Sequence, residues 1–414
     1  MLTLPKTMSM PGIAKLCLIS SIACLLSACG GDGGANSTGT ILAASSDHAV
    51  KDKLNYDVIP LSLGGDLFVP HVSNRGISPN GKVAGFTSVP DGPLHAFVYD
   101  GQKMIDLGTF GGPDSRAWAI NQCGHVVGSA ATSDQYRHAF LYDGTMHDLG
   151  TLGGPSSEAL DISACGKVTG WANTASGPEH AFLYEKGVMK DLGTLEGANF
   201  SYGNAVNARG QVTGYSGIAG NGFHAFLYTN GAMVDLGALG GDISNGKDIN
   251  EAGKVIGQYR GADGQTHGFI YDGKAMSDLG TLGALPGAEF VDPVAINEAG
   301  HVTGVAVTAG GLTHAFIYDG KQMRDLDPGG LNFSRAADIN EKDQVVGTML
   351  FAGGNTEHAM TWLPSGEMID LNTRIPRAPR GLLLIEGLSV ANNGAIVARA
   401  NTGLVLLRPV HSGQ

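Results

Sequence analysis

Basic residues are scarce in this chain. Its 26 Lys and Arg stand against 38 Asp and Glu, a formal net charge of −12. Affinity for nucleic acid comes largely from Lys and Arg releasing phosphate counterions, so a nucleic-acid partner is not expected. Long apolar runs are missing as well, and none reaches the ~20 residues of a membrane-spanning helix. No segment shows a helical period, and none carries a zinc-protease helix, a nucleophile elbow, a phosphate loop or a calcium loop. Cysteine is limited to five residues, three of them at the N-terminus: Cys17, Cys24 and Cys29. Neither a metal nor a cofactor is expected from the motifs.

The one pronounced apolar stretch is N-terminal. Lys6 and Lys15 flank a segment that ends in "LCLISSIACLLSA" (16–28), followed by Cys29 and Gly30. A positive region, a short apolar core and small terminal residues read as a secretory signal over residues 1–28. The ending Leu26-Ser27-Ala28-Cys29 resembles the lipobox of bacterial lipoproteins. That resemblance implies cleavage before Cys29, lipidation of Cys29 and contact with the membrane through the lipid. Gly30, where an acid could stand, implies the outer membrane or cell surface of a Gram-negative host. Loss of residues 1–28, which contain Lys6, Lys15 and no acid, would carry the charge from −12 to −14. Residues 29–53 are rich in Gly, Ser and Ala and read as a flexible tether.

Glycine, by contrast, is abundant, with 64 residues beside 17 prolines. His95, His138, His180, His224 and His314 open "HAF", His267 opens "HGF" and His358 opens "HAM", at spacings of 43, 42, 44, 43, 47 and 44. A second segment travels with each, as in "INQCGHVVG" (120–128) and "INEAGKVIG" (249–257), with a worn eighth copy, "VANNGAIVA" (390–398). A third follows each triplet, as in "MHDLGTL" and "MKDLGTL". A period of this length marks one supersecondary unit per repeat.

Each unit parses into four strands. In the second, 115–120, 125–131, 137–142 and 145–150 are the strands, with "NQCG" and "DG" as turns. Alternation puts His138, Phe140 and Tyr142 on one face and Ala139 and Leu141 on the other, so both faces are to be covered. Such a unit, repeated about eight times, predicts an all-β fold: a β-propeller of about eight four-stranded blades over 54–410. Residues 54–63 resemble the fourth strand of a unit and precede any first strand, so they are expected to complete the last blade. Seven blades, or a β-solenoid, are the alternatives.

Together the H-A-F, I-N-x-x-G-x-V-x-G and D-L-G-T-L-G-G segments resemble the HAF-repeat family of bacterial extracellular proteins. The resemblance covers nearly all of 54–410. It implies an exported repeat protein and no particular activity.

The seven histidines have two readings, a ring of metal ligands or proton carriers, and architecture. Imidazole suits either chemistry, but evenly spread ligands lie too far apart to share an ion. Each is expected to bond within its own blade, to the Asp of "DLG" or to a turn carbonyl. Asp106, Asp148, Asp191, Asp235, Asp278, Asp325 and Asp370 recur equally and are read the same way. Cys123 and Cys165 hold the same slot in adjacent units, where a disulfide or two thiols are both open. The connections between second and third strands vary almost completely. They emerge, with those between fourth and first strands, on one face, the candidate ligand face, with Tyr136, Trp171, Tyr215, Phe223 and Tyr259 as its exposed aromatics. No one-off catalytic constellation stands out. The expectation is a monomeric binding or scaffold module for an unidentified protein or glycan. A propeller enzyme acting on an extracellular glycan, and a structural matrix or adhesion protein, are the alternatives.

Overall fold

The computed structural model describes residues 54–65, 71–90, 92–287, 289–328, 330, 333–351 and 353–410. The signal segment, Cys29 and the tether lie outside the described residues. The described residues fold as a β-propeller. In the second unit, Gly111–Ile120, Val126–Thr132, Arg137–Tyr142 and Met146–Asp148 pair antiparallel in that order. These are strands a to d, from the ring centre outward. Strand a starts four residues before the hydrophobic alternation does, because Gly111 still pairs with Thr132. Strand d keeps only three residues, since it is an edge with a partner on one side alone.

The other units vary this plan slightly. The fourth and fifth are joined through one parallel pair, Phe223 with Ile243. In the first, residues 71 and 77 bridge to strand b in place of a regular strand a. The last sheet takes Leu384–Val390, Ile396–Ala400 and Gly403–Val410 from the C-terminal end and Asn55–Leu61 from the N-terminal end. Asn55 pairs with Val410 and Leu61 with Leu404, so the two ends of the repeat region share one sheet.

Packing between sheets explains the H-A-F triplet. Phe140 lies in one apolar cluster with Ala84 and Ala96 of the preceding sheet, while Ala139 lies in another with Phe182 of the following one. Each phenylalanine is thus a knob, and the alanine of the previous unit leaves its socket. Phe97, Phe140, Phe182, Phe226, Phe269 and Phe316 are all fully buried. Burying one such ring is worth about 1.5–3 kcal/mol, and the pattern repeats from sheet to sheet. The last sheet packs on the first through Leu404 and Leu406 against Val83 and Phe97, so the ring closes.

Polar groups stitch the same interfaces. Buried Ser115, Ser157, Ser201 and Ser244, each on strand a, accept the backbone N–H of the alanine of the preceding H-A-F, at 2.8–2.9 Å. Each also donates to the glycine carbonyl of the preceding "DLG". On the opposite face, Asn207, Asn250, Asn297 and Asn340 donate Nδ2–H to a turn carbonyl of the next unit, at 3.0–3.2 Å.

The sixth unit has Val291 where the second to fifth and the seventh have serine, and there the preceding triplet reads H-G-F. A Cβ on Gly268 would stand 2.8 Å from Val291 Cγ1. The two departures from the repeat explain one another. Gly268→Ala is expected to lower stability by about 1–3 kcal/mol through overpacking. Adding Val291→Ser should recover most of that loss by restoring the serine bridge, a coupling that a double-mutant cycle of thermal or urea melts measures.

Candidate functional site

The repeated histidines and aspartates pair within their own sheets. His95 Nδ1 lies 2.9 Å from Asp106, His138 2.8 Å from Asp148, His180 3.0 Å from Asp191 and His224 2.9 Å from Asp235. His314 and His358 hold Asp325 and Asp370 at 2.8 and 2.7 Å. In the first four of these units the aspartate also accepts the N–H of the glycine two residues on, at 2.7–2.8 Å. The pair therefore clamps the end of strand d to the start of strand c. The fifth unit departs from this, for His267 turns Nε2 to Asp263 at 3.1 Å and stands 3.5 Å from Asp278. Tyr259 donates its hydroxyl to Asp278 instead. Among the described residues no three His, Cys, Asp or Glu side chains are grouped to hold a metal ion.

The non-repeating chemistry is at the ring centre. In every regular strand a the register slips by one residue next to strand b, the signature of a β-bulge. A bulge bends the strand and re-aims one side chain. The bulged residues include Trp118, Leu160, Asn204, Lys247, Val294 and Ala337, and with Ser73, Asn74 and Arg75 they line a central cavity of about 430 Å³. Within a frame of near-identical units, these side chains are all unlike. The bulge also explains the last glycine of I-N-x-x-G-x-V-x-G. A Cβ on Gly128, Gly170, Gly214 or Gly257 would fall 1.8–1.9 Å from a strand-a carbonyl oxygen. Only glycine lets the two backbones approach.

One tripeptide of the first unit forms the floor. Ser73 donates to the Trp118 carbonyl, and Asn74 Nδ2 to the Val294 carbonyl at 3.2 Å. Arg75 reaches across the ring to the carbonyls of Asn204 and Lys247, both at 2.8 Å, and to Asp248 at 2.9 Å. Asp161 lies 3.7 Å from its Nε. Four of the accepting carbonyls thus belong to bulged residues.

Around Arg75, carboxylates occupy alternate sheets. The position that follows the bulge is Ala119, Asp161, Ala205, Asp248, Ala295, Asp338 and Ser389 in successive units. Asp161 and Asp338 each accept a backbone N–H of the next sheet at 2.8 Å, from Val206 and Val390. In the sheet after each Asp the same position holds a small residue, Ala205, Ala295 or Ser389. Burial pulls the Arg75 pKa down, but Asp161 and Asp248 outweigh it and hold the guanidinium above its ordinary value. Burial raises the Asp161 pKa against the pull of Arg75. Burial likewise pushes Asp338 up to about 7, opposed by hydrogen bonds from Val390 and Ser389. The Arg75–aspartate group is a one-off constellation that sequence reasoning missed. Its signal was the three aspartates at one repeat position, which only an alignment of the strand-a segments brings out.

One expectation is corrected here, and one open alternative is decided. Tyr259 is not exposed: it keeps 7% of its surface, stacked on His267 at 5.1 Å and bonded to Asp278. Cys123 and Cys165 form no disulfide with one another. Of the other aromatics, Tyr136 is 50% exposed. Trp171, Tyr215 and Phe223 are half-buried in a continuous aromatic group with Phe200 and Tyr202.

No family model matches this chain, and no curated protein does. Solved structures do. One chain from a structural and mechanistic analysis of two prolyl endopeptidases matches with a TM-score of 0.51 and 11% identity over 84% of this chain and 54% of that one. The β-propeller domain of the Trilobed protease from Pyrococcus furiosus matches at 0.47 and 14%, over 78% of this chain and 100% of that one. TolB from Acinetobacter baumannii matches at 0.37 and 12%, over 71% and 83%. At these identities the likeness is one of fold.

Removing Arg75 leaves Asp161 and Asp248 buried without a counter-charge, which typically costs about 3–5 kcal/mol. Arg75→Ala should lose stability on that scale in urea melts, with part regained on adding Asp161→Asn and Asp248→Asn. Stability should also fall as pH rises from about 4 to 7. Asp338 titrates near 7 in the folded chain against 3.8 as its ordinary value, so the folded state holds a proton that the unfolded chain has released. Glu298, pushed up to about 7 by burial, acts with the same sign. Melting temperatures should drop between about pH 4 and 7, and Asp338→Asn should flatten the slope.

Proposed function

We propose that this protein is an eight-bladed envelope lipoprotein, tethered through Cys29, that binds a ligand at the central cavity. The observation that supports this reading is the ring of unlike side chains. Seven units repeat their clamps, sockets and turns, yet the bulges present Trp118, Leu160, Asn204, Lys247, Val294 and Ala337 to one cavity. Architecture alone asks for the same residue in each unit, so the differences among these cavity-lining side chains support recognition there. Parallel bridges such as Phe110 with Thr132 and Leu152 with Thr174 tie the d–a connection to the end of strand b. The hub of Ser73, Asn74 and Arg75 gives the cavity a floor, which suits capture of a ligand from one face.

Anchoring and binding are tested separately. Metabolic labelling with a radioactive fatty acid should mark the full chain, and Cys29→Ser should abolish the label and release the protein from the membrane fraction. A photo-reactive benzoylphenylalanine at position 160, in the cavity, should yield discrete adducts in the living host, while the same group at position 102, in an exposed c–d turn away from the cavity, should yield none. Adducts at 102 alone, or at neither position, would overturn the binding reading.

A further inference from the structure

A second site lies outside the cavity, on the fourth unit, and we infer that it binds a neutral oligosaccharide. It is an open depression of about 510 Å³ lined by Asn199, Phe200, Ile218, Asn221 and Phe223, with Ala198 and four glycines. No charged side chain lines it, on a chain whose formal net charge is −12. Its walls are two aromatic rings, and the amides of Asn199 and Asn221 are exposed at its rim. The glycines put no side chain in front of either ring.

The rings do not end at the depression. Phe223 lies 5.2 Å from Tyr215, Tyr215 stacks on Tyr202 at 5.0 Å, and Tyr202 meets Trp171 at 6.2 Å. All are half-buried, so each keeps part of its surface open. Tyr202 stands on strand a, two residues before Asn204 of the central cavity. The aromatic run therefore leads from the rim of the ring to its centre.

This chemistry selects among ligands. The C–H face of a sugar carries partial positive charge and packs on the electron-rich face of an aromatic ring. Its hydroxyls are met by amides, which donate and accept at once. An anionic glycan finds no cation here, and Glu179 beside Tyr202 repels it. A cationic peptide finds no carboxylate in the depression. An uncharged chain of several sugar rings matches a row of aromatic rings, glycine-floored at one end.

The inference rests on the binding reading but uses different residues, so the two can fail apart. The test is calorimetric titration of the protein with cellohexaose, xylohexaose and mannohexaose, and with hexagalacturonate as the charged counterpart. At least one neutral hexasaccharide is expected to bind and to alter tryptophan fluorescence, and hexagalacturonate is expected not to. Phe223→Ala and Asn221→Ala should each weaken binding about tenfold, the loss expected for one stacking or hydrogen-bonding contact. Gln102→Ala in the exposed c–d turn should change nothing. Both site variants lie at a loop or strand end, and unchanged melting temperatures would show that they fold. Binding that survives Phe223→Ala and Asn221→Ala, or no neutral saccharide bound at all, would overturn the inference. In that event, adducts at position 160 would still stand as evidence for the central cavity.

Discussion

A sheet of this protein cannot bury its phenylalanine alone. The ring of Phe182 needs the space that Ala139 leaves one unit earlier, and Ala181 leaves space for Phe226 in turn. Both faces of each sheet are apolar, so neither can be left to water. That constraint makes the units interdependent and makes an open end costly. Sharing the last sheet between Asn55–Leu61 and the C-terminal strands removes the open end. The serine bridges and asparagine belt add direction to a packing that would otherwise only fix distance.

Closure creates a second problem at the centre. Strand a must bend into the ring, and it does so by a bulge at the same place in each regular unit. Bulging costs a regular ladder pair and frees a carbonyl. The glycine of strand b accommodates the close approach, and Ser73, Asn74 and Arg75 occupy several of the freed carbonyls. Arg75 is tolerable there because Asp161 and Asp248 meet its charge. The floor of the cavity is thus a consequence of how the ring is bent, and its walls are positions released from the repeat.

Much of this was legible from one chain because the repeat supplied its own comparison. Invariant His and Asp, spaced by about one hairpin, indicated a bond within the unit, and the near-invariant glycine indicated a close backbone approach. Strand limits were less legible, since pairing at Gly111 and the shortness of strand d depend on neighbours rather than on alternation. Tyr259 was read as exposed because its segment looks like the variable connections of other units. In the fold it replaces His267 as the partner of Asp278, an exchange that follows from Asp263 drawing the histidine away. Cys123 and Cys165 shared a slot in sequence, which left a disulfide open, and in the fold they form none with one another.

By itself the sequence determined the four-strand unit, its period and its packing code, because these rest on contacts between residues close in the chain or one repeat apart. The alternation of apolar residues, the turn signals and the Ala–Phe complement are all local or periodic. Only the tertiary structure decided what stands at the centre. Arg75 meets Asn204, Lys247 and Asp248 across about 130 to 170 residues of chain, and no period links them. They come together because bending and closure bring distant strands to one axis, where charge must be balanced among whichever side chains arrive.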